Sequence, residues 1–135
     1  MNRPALVLWV VLIVLLSGCA REKISPHVVQ LSVNFTWEGL KPCGWGNPEV
    51  HFAGVPANTK TIHIHMYDHA YSHDHGTVKM PYAGETVLVR ERFKEIQGPC
   101  PVYTPGRYQI TIKALDDSKT VIGIGSAERS FPEEG

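Results

Sequence analysis

Five of the seven histidines fall within thirteen residues, at His63, His65, His69, His73 and His75, and Asp68, Asp74 and Met66 lie among them. Neutral imidazoles joined by a carboxylate suit Zn²⁺ or Cu²⁺. In an extended strand the side chains of residues i and i+2 share a face about 7 Å apart. His63 and His65 can therefore approach one ion, and so can His73 and His75, while Met66 joins only if the chain twists it to that face. A solvent-facing polar stripe on a half-buried strand is the leading reading of His63 and His65, and loop polarity plus one pocket histidine is the alternative for His73 and His75. His27 and His51 stand alone and read as surface residues. Catalysis finds less support. Asp74 beside His75 has the groups for general acid–base chemistry, but neighbours on a strand point to opposite faces. Gly123-Ile124-Gly125-Ser126-Ala127 is not a G-x-S-x-G elbow. No phosphate-cradling loop, dinucleotide fingerprint or H-E-x-x-H helix is present. The expectation is a protein that binds and does not catalyse, with no obligatory cofactor and with Zn or Cu as the alternative.

The three cysteines divide by position. Ala5 to Leu16 runs twelve residues without a polar side chain, behind a start that carries only Arg3. This is the layout of a signal peptide, and it is shorter than the roughly 20 apolar residues of a spanning helix. Leu16-Ser17-Gly18-Cys19 resembles a bacterial lipoprotein processing site, in which the cysteine thiol accepts diacylglycerol. Residues 1–18 are thus expected to be a signal peptide, and Cys19 is expected to carry a lipid that anchors the chain stably. Ala20, rather than an acidic residue, follows the cysteine and favours the outer membrane by resemblance to Gram-negative lipoproteins. The expected location is the bacterial cell envelope, facing the periplasm. Cys43 and Cys100 are then the remaining pair in an oxidising compartment, where one disulfide is the natural reading. Two metal-binding thiolates are the alternative.

Removing 18 of the 135 residues leaves 117, enough for one domain. The mature chain keeps 12 basic and 13 acidic side chains, without a basic excess for nucleic acid or a polybasic run for electrostatic docking to a membrane.

The elements that must position these residues are strands. Residues 19–27 read as a lipidated tether, and residues 28–135 as the domain. From Val29 to Trp37 apolar and polar residues alternate strictly, which predicts one half-buried strand. Residues 38–48 hold three Gly and two Pro and predict a loop pinned by Cys43. Short strands are expected at residues 50–53, 61–67, 77–80 and 86–89, with 68–76 as a polar loop. Glu91 to Gln97 could form at most a helical turn or two. The strand from Tyr108 to Ala114 should turn at residues 116–119 and pair with 120–124, and 126–131 adds a further candidate. Seven or eight short strands with regular turns predict an all-β, antiparallel β-sandwich with little helix.

Several segments together resemble the bacterial branch of the phosphatidylethanolamine-binding-protein (PEBP) family, also called Raf-kinase-inhibitor-like proteins. They are Pro48-Glu49-Val50, Gly54-Val55-Pro56-Ala57-Asn58-Thr59-Lys60, Asp68 at a strand end, Asp74-His75-Gly76-Thr77-Val78, Gly98-Pro99-Cys100-Pro101, Arg107-Tyr108 and Ala114-Leu115-Asp116. The resemblance spans residues 48–132. It implies a β-sandwich with a small pocket for phosphate-type anions, lined by the aspartate of a DPDxP-type motif, a histidine, and a second histidine near a tyrosine. Asp68, His75 and Tyr108 match three of these positions. The segment Asp68-His69-Ala70-Tyr71-Ser72 lacks the motif's proline, and Gly106 stands where the second histidine is expected. Arg107 is the candidate to replace it as a phosphate-directed donor. The implied partner is a small anionic ligand or a protein.

Overall fold

A computed structural model describes residues 20–133. The signal segment and Cys19 lie outside the described residues. Among the described residues eight strands form: β1 (Lys23–Gln30), β2 (Ser32–Thr36), β3 (Glu49–Ala53), β4 (Thr61–Asp68), β5 (His73–Pro81), β6 (Val87–Leu88), β7 (Gly106–Leu115) and β8 (Thr120–Phe131). They make a five-stranded sheet in the order β1-β8-β7-β4-β5 and a three-stranded sheet in the order β2-β3-β6. The described residues contain no helix, and Glu91 to Gln97 is a run of turns.

Alternation puts Ile62, Ile64 and Met66 of β4 and Tyr108, Ile110, Ile112 and Ala114 of β7 on the inner face of the larger sheet. Phe35, Val50, Phe52 and Leu88 meet them from the smaller sheet, and all belong to one core. Burying apolar area of this kind is the main favourable term in folding.

Four expectations change. The alternating run from Val29 to Trp37 is split at Leu31, which lies between β1 in the larger sheet and β2 in the smaller one. Gly123 and Gly125 of β8 make the crossing possible. A Cβ at Gly125 would strike the Leu31 carbonyl, and one at Gly123 would lie 3.0 Å from the Leu31 side chain. The tether is also shorter than residues 19–27, because Lys23 pairs with Thr120 and Ile24 with Val121. That pairing of β1 with β8 is parallel, so the larger sheet is mixed and not purely antiparallel. Finally, the polar loop 68–76 contracts to a turn, because β5 already begins at His73.

Candidate functional site

Strand register assembles the site. Asp68 ends β4 directly opposite Tyr108 of β7 on one side and His73 of β5 on the other. Asp68 and Tyr108 have the inward parity of their strands, so both are buried, at 2% and 1% exposure. His75 does not have that parity. Counting back from Val78 and Met80, residue 75 should face outward with Thr77 and Lys79. A register shift intervenes, in which Met66 pairs with Gly76 but Tyr67 pairs with Asp74. His75 is the extra residue of this bulge and turns inward, to 6% exposure. Gly76 makes room for it, with φ of 118° and the Glu95 carbonyl 2.9 Å from where its Cβ would stand.

The three side chains share a cavity of about 350 Å³ with Tyr71, His73, Gln97 and Cys100. Each is fixed by a distinct contact. Asp68 Oδ1 accepts the backbone N–H groups of Ala70 at 2.8 Å, Tyr71 at 3.3 Å and Arg107 at 3.1 Å. The carboxylate thus closes the β4–β5 turn and ties it to β7. His75 Nδ1–H donates to the Gln97 carbonyl at 2.8 Å, which leaves Nε2 to take a second proton. His73 Nε2 lies 3.0 Å from Gln97 Oε1, and the His73 and His75 rings meet edge to face at 4.7 Å. Tyr71 Oη donates to the Thr104 carbonyl at 2.7 Å and holds loop 101–105 against the cavity.

Burial pushes the Tyr108 phenol up to about 12, and the Asp68 charge adds to the shift, so the hydroxyl stays neutral and able to donate. Burial lowers the pKa of His75 more than its Gln97 hydrogen bond raises it, and His75 is neutral at pH 7.

The Cys43–Cys100 disulfide is formed, with Cα atoms 4.4 Å apart. It staples two chain segments that also exchange backbone hydrogen bonds, Cys43 N–H to the Pro99 carbonyl and Gly98 N–H to the Gly44 carbonyl, each at 2.8 Å. Gln97 belongs to the stapled segment, and its N–H donates to the His75 carbonyl at 2.8 Å. The staple therefore supports one wall of the cavity.

Arg107 is not brought to the site. It neighbours Tyr108 on β7, so it faces the other way, exposed and 3.3 Å from Glu128. Gly106 does have the inward parity, but the Tyr108 ring lies across it so closely that even a Cβ would collide with the phenol. Tyr108 occupies the place of the missing second histidine.

The histidine cluster is dispersed. His63 and His65 lie on the outer face of β4, where His65 Nε2 is 3.1 Å from Asp74 Oδ1. His69 contacts Gln109 at 2.8 Å. Only His73 and His75 enter the cavity. Among the described residues, no group of three His, Cys, Asp or Glu side chains is placed to hold a metal ion. The sequence reading missed Tyr71 and Gln97 as cavity residues. Gln97 sits directly before Gly98-Pro99-Cys100-Pro101, and that adjacency was the available signal.

These features define an all-β protein with the PEBP fold, as the sequence resemblance implied. A solved structure that it is similar to is the crystal structure of E. coli YbcL, described as a new member of the mammalian PEBP family. The TM-score is 0.52 at 20% identity, covering 75% of this chain and 96% of that one. No family model matches the sequence, and no curated protein matches it. At this identity the likeness establishes the fold, and the ligand has to be argued from the site.

Proposed function

We propose that the chain is an exported, lipid-anchored β-sandwich that binds a small phosphate-type anion in the cavity around Asp68, His73, His75 and Tyr108, without catalysis. One observation carries the reading: a fixed carboxylate, a neutral phenol and two imidazoles converge on one cavity. A phosphate that retains a proton satisfies all of them, because its P–OH donates to Asp68 while its other oxygens accept from Tyr108 Oη and from His75 Nε2, which takes up a proton as the anion binds. A fully deprotonated anion such as sulfate has no hydrogen for Asp68 and would meet carboxylate against oxyanion. Among the described residues the cavity lining holds no Ser, Thr or Lys, and its one cysteine is in the disulfide.

Loop 101–105, which Tyr71 holds beside the cavity, exposes Val102 at 70% and Tyr103 at 92%. These side chains supply the apolar contact area for a protein partner that reads the occupied pocket.

Titration calorimetry on the domain with inorganic phosphate tests the site. Phosphate should bind, sulfate should bind roughly ten-fold or more weakly, and His75→Ala or Tyr108→Phe should each weaken phosphate binding by a similar factor. Equal binding of the two anions, or indifference to both substitutions, would remove the site.

A further inference from the structure

The outer face of the five-stranded sheet holds a second and larger concavity, an open groove of about 720 Å³. Its floor is set by register. Lys79 of β5, His63 of β4 and Lys113 of β7 lie side by side in one row, and Thr77, His65 and Thr111 form the parallel row beside it. Arg21 and Lys23 border the groove from the N-terminal segment, and Lys119 borders it from the β7–β8 turn. Five cationic side chains thus face one carboxylate, Glu22, which sits on Lys113 at 2.7 Å. Burial, with Lys79 and Lys113 adding to it, keeps His63 below its ordinary pKa, so the row gains no charge from it at pH 7. The chain as a whole is neutral. The excess of positive charge is local to this face and arises because strand pairing gathers lysines that are far apart in sequence.

We propose that this groove is a docking surface for the phosphates of anionic lipid headgroups in the membrane that anchors the chain. The choice of a bilayer as occupant rests on the lipid-anchor reading of Cys19. Ala20, the residue after it, itself borders the groove. One residue spans at most about 3.6 Å, so acyl chains on Cys19 would hold Arg21, Lys23, Lys113 and Lys119 at headgroup level. Basic residues held within a Debye length of an anionic leaflet are attracted to it. Electrostatic attraction of this kind adds to the lipid anchor and fixes which face of the domain meets the membrane.

Among the described residues the core and the disulfide lie between Leu31 and Phe131, so the chain from Ala20 onward carries both. This unlipidated chain can be sedimented with vesicles of phosphatidylcholine alone and of phosphatidylcholine mixed in equal parts with phosphatidylglycerol. It should bind the mixed vesicles selectively and release them as salt rises. Combined Lys79→Gln and Lys113→Gln should weaken binding about 25-fold, at roughly five-fold per lysine, with an unchanged melting temperature. Combined Lys41→Gln and Lys94→Gln, outside the groove, should leave binding within about two-fold.

Equal binding to both vesicles, or equal losses from the two double variants, would overturn the proposal. So would inorganic phosphate that saturates the groove and displaces the vesicles at constant ionic strength, which would assign the groove to a soluble anion. The lipid on Cys19 is read separately, by the mass of the native mature protein, so failure of either reading can be told from failure of the other.

Discussion

His75 shows how one residue couples the pocket to pH. Its pKa in the folded chain lies below the ordinary 6.5, chiefly because burial penalises the imidazolium. Above pH 6.5 the ring is neutral whether the chain is folded or not. As pH falls below that value the unfolded chain takes up the proton first, so this histidine's stabilising contribution is lost as pH falls through its folded pKa. His63, also lowered by burial, acts in the same direction. An anion in the cavity opposes the loss, because it stabilises the imidazolium that burial disfavours. The thermal stabilisation given by inorganic phosphate should therefore grow as pH is lowered from about 7.5 to about 6. In a His75→Gln variant the gain should stay flat relative to phosphate's own titration, which both proteins share. A gain of the same size in native protein and variant, measured by thermal melts at each pH, would show that His75 does not carry the charge. Tyr108 makes the complementary point. Its place across Gly106 leaves no room for a side chain there, whereas the sequence shows only that the histidine is missing.

At the scale of elements, alternation was the informative signal and register was the hidden one. The inward faces of β4 and β7 are legible from Ile62, Ile64, Met66, Ile110 and Ile112, and with them the burial of Asp68 and Tyr108. Parity alone also sends Arg107 away from Tyr108. The bulge that turns His75 inward was not legible, because a bulge depends on which residues pair across strands and leaves little trace in one strand's pattern. The break at Leu31 was hidden for a similar reason. Alternation continues through it, and only the close approach of Gly123 and Gly125 reveals that the chain changes sheets there.

The disulfide is the element that joins this architecture to the site. It closes a separation of 57 residues, and the loss of loop entropy in the unfolded chain makes it worth about 4 kcal/mol. Because the stapled segment carries Gln97, replacing Cys43 and Cys100 together with serine should do more than lower stability by about that amount in urea. Phosphate affinity should also fall under conditions where the variant is still fully folded, since Gln97 would no longer hold His75 and His73 in place. An unchanged affinity would confine the disulfide to a role in stability.

For the whole molecule, the proposed anchor at Cys19 together with the arrangement of charge would give the domain an orientation. The groove lies over the Thr61 to His65 part of β4, and the cavity lies at the Asp68 end on the opposite face of the sheet. Eight residues of strand separate the two ends by about 23 Å. With residues 20–22 as the whole link between Cys19 and β1, the lipid would hold the groove against the bilayer and turn the cavity and loop 101–105 away from it. The balance of 13 basic and 13 acidic side chains could not indicate this, because a sum over the sequence carries no information about which strands adjoin. Lys79 and Lys113 become neighbours of His63 only through the pairing of β5, β4 and β7. An anchor that orients the domain without building the pocket separates two measurements that a structural role for Cys19 would link. Cys19→Ala should move the protein from the membrane to the soluble fraction and remove the acyl mass from its N-terminus, while phosphate affinity stays within about two-fold of the native value. A native mature chain with an unmodified Cys19, or a Cys19→Ala protein that stays with the membrane in high salt, would show that something other than this cysteine tethers the domain.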